Sequence, residues 1–114
     1  MLKSENRLRK RKEFAYLYNN GEAKHTEHLT VVFLPTKYRA LKVGFSVAKK
    51  IGKANTRNLV KRRLRSIVRE IVPSLPDNYN MVVIAKSGIE NISFAELEKE
   101  TKVLFSKTGL KRNV

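Results

Sequence analysis

A chain of 114 residues fits one domain with a single modest core, and its charge, 25 Lys and Arg against 10 Asp and Glu for a formal +15, makes a polyanion the simplest partner to expect, nucleic acid first and an anionic membrane surface second. The absence of cysteine removes disulfides, thiolate zinc sites and thiol nucleophiles, and no apolar run approaches the roughly 20 residues of a membrane span. The opening Met1-Leu2-Lys3-Ser4-Glu5-Asn6-Arg7 carries charge with no apolar stretch behind it, so a secretory signal is not expected; the chain reads as cytoplasmic, with no membrane and no small-molecule substrate.

The chain begins with a basic stretch (Lys3, Arg7, Arg9, Lys10, Arg11, Lys12). A short helix is expected over about Lys12 to Asn20, with Phe14, Leu17 and Tyr18 on one face and Gly21 as its stop. His25 to Thr30 reads as a loop leading into a strand over Leu29 to Leu34, which is β-branched and aromatic and ends at Pro35. After a turn at Tyr38 to Ala40, Leu41, Val43, Phe45 and Val47 alternate with Lys42, Gly44, Ser46 and Ala48, the period of a strand with two different faces. A basic loop, Lys49 to Ala54, precedes a long helix over about Thr56 to Val72, ended by Pro73. Tyr79 to Ala85 is apolar but for Asn80, as a central strand covered on both faces should be. Ser93 and Glu96 form a capping box that opens a last helix, with Phe94, Leu97, Thr101, Leu104 and Phe105 on its inner side. The expectation is one domain over residues 1–114, loose at 1–10 and 110–114. Its class is α/β (α+β): a two-layer sandwich of a mixed four-stranded sheet and three helices in the order α-β-β-β-α-β-α.

The most informative segment is Lys49 to Arg69, which holds nine basic residues and no acid. Advancing about 100° per residue, Val60, Leu64, Ile67, Val68 and Ile71 gather in one arc of the helix, and Asn58, Lys61, Arg62, Arg65 and Arg69 in the adjacent arc. A charged stripe is most often a solvated face. Such faces normally mix signs, because Glu–Lys pairs one turn apart stabilise a helix by roughly 0.2–0.5 kcal/mol each, whereas like charges repel by similar amounts. An all-positive stripe on a chain of +15 therefore points to phosphate contact. Arg57, Arg62 and Arg65 suit planar, specific docking, and Lys49, Lys50 and Lys53 suit diffuse steering. The helix start, beside Asn55, Arg57 and Asn58, offers free backbone N–H groups to an anion.

At Lys53-Ala54-Asn55-Thr56-Arg57-Asn58-Leu59-Val60-Lys61-Arg62-Arg63-Leu64-Arg65 the sequence resembles the signature of the bacterial ribonuclease P protein component: an Arg-Asn pair, then a Lys-Arg pair and a further Arg. Val43-Gly44-Phe45-Ser46-Val47-Ala48-Lys49-Lys50-Ile51-Gly52 resembles that family's strand and loop, and so does the basic opening with Phe14 and an aromatic four residues on. The likeness spans about residues 7 to 108. Leu59 stands where a third basic residue is common, and Ala48 where serine is.

The resemblance implies a protein subunit serving a catalytic RNA that uses magnesium to hydrolyse precursor tRNA and release its 5′ leader; the protein supplies no nucleophile. It implies docking on the catalytic RNA through Arg57, Asn58, Lys61, Arg62 and Arg65, to which Lys53, Asn55 and Arg69 are added from the same loop and stripe. It also implies a leader cleft between the first helix and the sheet, with Phe14, Tyr18, Phe33 and Phe45 as stacking candidates and Lys49 and Lys50 beside them, and a left-handed βαβ crossover. Single strands are bound in this way, by bases on aromatics beside cations. Tyr16 points elsewhere on the helix.

No other chemistry stands out. His25 and His28 form a His-x-x-His pair, but only Glu22 or Glu27 could complete a metal site, and a solvated loop is the better reading. Glu96, Glu98 and Glu100 read as helix charge. Gly44-Phe45-Ser46-Val47 only faintly resembles an RNA-recognition-motif strand. Two alternatives remain open here: a structural RNA-binding protein of ribosomal type, and an independent protein nuclease.

Overall fold

The computed structural model describes residues 11–37 and 41–112. The N-terminal basic stretch up to Lys10, the expected turn at Tyr38 to Ala40, and Asn113 and Val114 lie outside the described residues. The elements are α1 (Arg11–Asn20), β1 (Glu22–His25), β2 (Leu29–Pro35), β3 (Lys42–Ser46), α2 (Ala54–Ile71), β4 (Tyr79–Ala85) and α3 (Phe94–Thr108). Their order and number match the expected α-β-β-β-α-β-α arrangement.

The four strands form one mixed sheet in the order β1-β2-β4-β3. β1 pairs antiparallel with β2 and β2 with β4, while β3 runs parallel to β4, so α2 is the crossover between them. Central β4 is apolar on both faces, and water must be excluded from both. On one face Met81, Val83 and Ala85 join Leu29, Val31, Phe33 and Val43 beneath α2 and α3. On the other, Val82 and Val32 meet Leu17 of α1.

The helices grip unequally. α2 contributes four buried side chains (Val60, Leu64, Ile67, Val68) and α3 contributes Leu97, Thr101, Leu104 and Phe105. α1 contributes only Leu17. At roughly 1.5–3 kcal/mol per fully buried aliphatic side chain, α1 is the most weakly held of the three. Its end is fixed by close approach: the Gly21 N–H donates to the Leu17 carbonyl at 2.8 Å, and a Cβ at Gly21 would meet that oxygen and Val32 Cγ1, each at 2.7 Å.

Four local expectations are corrected. The strand Glu22–His25 takes in the first residue of the expected His25 to Thr30 loop, which narrows to Thr26 to His28; as a mostly exposed edge strand it carries no apolar alternation to betray it. α2 starts at Ala54 rather than Thr56, with Lys53 as its N-cap and no side-chain cap, so no capping signature marked the start. The Ser93–Glu96 capping box is present, but Phe94, placed on the inner side, is 41% exposed. The chain beyond α3 is held as far as Arg112, whose N–H and Nε donate to the carbonyls of Ser74 and Leu75 at 2.9 and 3.1 Å.

The β1–β2 turn is tied to α3 by Glu100. Its Oε2 accepts from Thr26 Oγ1 and from the His28 backbone N–H, both at 2.7 Å, and its Oε1 lies 2.7 Å from His28 Nδ1. The two side chains are only 16% and 17% exposed. The hydrogen bond to Glu100 raises the His28 pKa against the opposing effect of burial. Burial pushes Glu100 up, but its hydrogen bonds with His28 and Thr26 outweigh that and hold it below its usual value. His28 thus contributes stability that is fully present below 6.5, its ordinary value, and fades as pH rises through its raised folded value. Glu100 contributes stability present above its ordinary 4.5 and lost as pH falls through its lowered folded value. The difference in urea midpoint between the wild type and Glu100→Gln should therefore be largest between pH 4.5 and 6.5 and shrink on either side; a pH-independent difference would contradict this coupling.

Candidate nucleic-acid interface

α2 is amphipathic in an unusual way: its apolar arc is seated on the sheet, and the arc beside it is cationic. Seating Val60, Leu64, Ile67 and Val68 leaves Asn58 and Arg62 exposed and Lys61 and Arg65 half-buried. With Ser66 and Arg69 these side chains line a groove of about 510 Å³. Arg69 at the end of the strip pairs with Glu70 at 3.9 Å, and both partners are largely exposed. Such a pair is worth little in water. Arg65 holds its guanidinium carbon 6.0 Å from the centre of the Phe45 ring.

The loop before α2 continues the cationic surface. Lys49–Ile51 forms one 3-10 turn in which Ile51 is buried and Lys49 and Lys50 are exposed. Arg57 donates its Nε to the Gly52 carbonyl at 3.2 Å, so it also braces this loop against the helix. Lys53 and Asn55 are exposed at the start of the helix, where Asn55 Oδ1 accepts from the Thr56 N–H at 3.0 Å.

The opposite face of the sheet carries α1. Strand register arranges that face in three rows: Leu34–Asn80–Lys42, Val32–Val82–Gly44 and Thr30–Ile84–Ser46. Leu17 sits over the middle row. On one flank of α1, Arg11, Phe14, Ala15 and Tyr18 form a groove of about 470 Å³ with Ser46 of β3. The Phe14 and Tyr18 rings are 6.4 Å apart and tilted by 42°. Phe14 is half-buried against Leu17, Val32 and Val82, and Tyr18 is 46% exposed.

The structure brings Phe14 and Tyr18 together but separates Phe33 and Phe45 from them. Phe33 is only 5% exposed, in the core under α2 and α3, and it shares its face with Val31. Phe45 shares its face with Val43 and packs against that same core beside Arg65. The strand period puts both on the face away from α1, so neither offers a stacking surface in the α1 groove. On the α1 side the sheet presents Ser46 and Ile84 instead.

Tyr16 is 63% exposed on the other flank of α1, away from Phe14 and Tyr18 as its spacing predicts, whereas the sequence carries no local signal for the role of Glu100. The His-x-x-His segment is not a solvated loop. His25 Nδ1 on β1 lies 2.9 Å from Thr30 Oγ1 on β2, whereas His28 turns inward to Glu100, a carboxylate far along the chain. Among the described residues, no three His, Asp or Glu side chains converge in a way that could hold a metal ion. No helix among those residues is long and apolar enough to cross a membrane.

A mixed sheet with a cationic helix on one side and an aromatic groove on the other defines a class: small α+β proteins whose surface suits single-stranded or folded nucleic acid. The comparisons narrow that class. The model of the Ribonuclease P family matches residues 2–109. The ribonuclease P protein component of Streptococcus pneumoniae serotype 4 is 36% identical over 98 residues, covering 86% of this chain and 80% of that protein. The Thermotoga maritima RNase P protein structure superposes with a TM-score of 0.80 at 27% identity, covering 89% of this chain and 96% of that one. The Staphylococcus aureus RNase P protein gives 0.88 at 20% identity over 93% and 97%, a likeness of fold. The chain belongs to the bacterial ribonuclease P protein family.

Proposed function

We propose that this chain is the RNA-binding subunit of a cytoplasmic ribonuclease P, and that it docks on a catalytic RNA through α2 while holding the 5′ leader of precursor tRNA against α1. The observation that carries this reading is the strip Asn58, Lys61, Arg62, Arg65 and Arg69, which lines one groove beside the apolar arc that α2 seats on the sheet. A folded RNA is a dense array of phosphates, and each neutralised phosphate releases condensed counterions, which drives association. The guanidinium forks of Arg62 and Arg65 take phosphate oxygens in pairs, and Lys49, Lys50 and Lys53 extend the field at the helix start. Arg57 has a double part in this reading, bracing the Gly52 loop and presenting charge beside Asn58.

Leader binding rests on the Phe14–Tyr18 groove. A half-buried ring beside an exposed one, with Arg11 at the rim, matches what a single strand requires: a rigid π-surface and a cation for its backbone. Hydrolysis, with its magnesium ions, is assigned to the RNA. The chain's contribution is to bind, orient and neutralise.

Reconstitution tests the assignment. Adding the protein to the catalytic RNA should raise precursor-tRNA cleavage at low magnesium, and the protein alone should not cleave. No stimulation at any magnesium concentration would leave a structural RNA-binding protein as the better reading. Phe14→Ala should weaken binding of leader-bearing precursor by roughly 5- to 30-fold, the equivalent of one stacked base, and leave mature tRNA nearly unchanged; equal weakening of both would reduce Phe14 to a packing residue.

A further inference from the structure

α1 covers only the middle of the three rows on its face of the sheet, and this leaves a groove on each flank. The Phe14–Tyr18 side is one. The other lies over the row Leu34–Asn80–Lys42, a cleft of about 480 Å³ that Glu13 and Tyr16 close from the helix side and Lys37 from the end of β2. We propose that this second groove is a further subsite for an unpaired nucleotide of the leader strand, with Tyr16 as its stacking surface. The inference rests on the leader-binding reading given above.

Tyr16 presents its ring to water with 63% of its surface exposed, the largest exposure of any large apolar or aromatic side chain among the described residues. It is not needed to hold α1 down, since Leu17 does that. An aromatic side chain on a polar helix gains nothing from water, and beside a cleft with an apolar floor and polar walls it provides a face for a base. Leu34 supplies apolar floor. Asn80 supplies an amide that makes no hydrogen bond among the described residues and can donate to or accept from a base edge.

The charge of the cleft suits one phosphate rather than many. Lys42 pairs with Glu13 at 3.5 Å, so these two largely offset each other. Lys37 is exposed and makes no ion pair among the described residues, which gives the described lining of the cleft one net cation. A single nucleotide has the matching composition: one π-face, one hydrogen-bonding edge and one negative charge. The two grooves lie on opposite flanks of the same helix and on the same face of the sheet, so one strand passing across α1 meets Phe14 and Tyr18 on one side and Tyr16 on the other. Between them the helix presents Lys12, Ala15 and Asn19, a cationic and small-residue surface that does not obstruct the strand.

The test uses the full chain assembled with the catalytic RNA, and compares affinity for leader-bearing precursor tRNA with affinity for mature tRNA. Tyr16→Ala should weaken the precursor by roughly 5- to 30-fold and leave mature tRNA unchanged, and Tyr16→Phe should restore most of the loss because the ring face is kept. Tyr16 is so exposed that its removal leaves the core intact, which an unchanged urea midpoint would verify. If Tyr16→Ala has no effect while Phe14→Ala separates precursor from mature tRNA, the second groove is overturned and the first stands. If Tyr16→Ala weakens mature tRNA or the catalytic RNA equally, the groove does not hold the leader and the inference fails. If neither variant separates the two tRNAs, the leader reading falls, and this subsite with it.

Discussion

Everything in this fold depends on one strand that must be dry on both sides. β4 has apolar residues on each face and sits between β2 and β3, so the sheet cannot stop at one covering layer. The two covers differ greatly. α2 and α3 blanket one face with a continuous core, while α1 lays a single buried leucine across the other. Both surfaces of interest follow from that asymmetry. Because the apolar arc of α2 is pinned to the sheet, its neighbouring cationic arc has to face outward. Because α1 is too narrow to cover its face, the sheet is left with flanking grooves that aromatic side chains can border.

The same division separates rigidity from adaptability. The cationic strip rides on a helix anchored by four buried side chains, so its charges keep a fixed spacing suited to a folded polyphosphate surface. The aromatic grooves border the least anchored helix, whose burial energy is of the order of one side chain. A small shift of α1 would widen one groove at the expense of the other, which suits a strand whose sequence varies. The hydrogen-bonded Glu100 node ties the β1–β2 turn to α3.

Much of this was legible in the sequence where a repeating pattern carried it. The 3.6-residue period of α2 located both the core arc and the strip, and the apolar run at Met81 to Ala85 identified the central strand. Where no period exists, sequence reading was silent. The polar edge strand at Glu22–His25 has no buried face to announce it. The contact between His28 and Glu100 joins residues 72 positions apart, and local spacing cannot reveal it. The misplacement of Phe33 and Phe45 is more instructive. The alternation Leu41, Val43, Phe45 and Val47 already places Phe45 among core residues, and the same parity groups Phe33 with Val31 and Leu29. An aromatic side chain on the apolar phase of a half-buried strand belongs to the core, whatever binding role its residue type suggests. Tyr16 shows the converse: its separation from Leu17 on the helix put it off the core face, and only the geometry of the cleft reveals what it borders.

The central claim is that affinity for RNA resides in the α2 strip and not in total charge. Replacing Lys61, Arg62 and Arg69 by glutamine removes the same formal charge as replacing Lys99, Lys102 and Lys111, exposed cations on α3 and the segment after it. Affinity for the catalytic RNA should be measured for both variants across a salt series. The strip variant is predicted to bind more weakly and to flatten the dependence of log affinity on log salt by about one to three ions, while the α3 variant stays close to the wild type. Equal losses in the two variants would contradict the account, since they would mean that charge alone, wherever it sits, draws the protein to RNA.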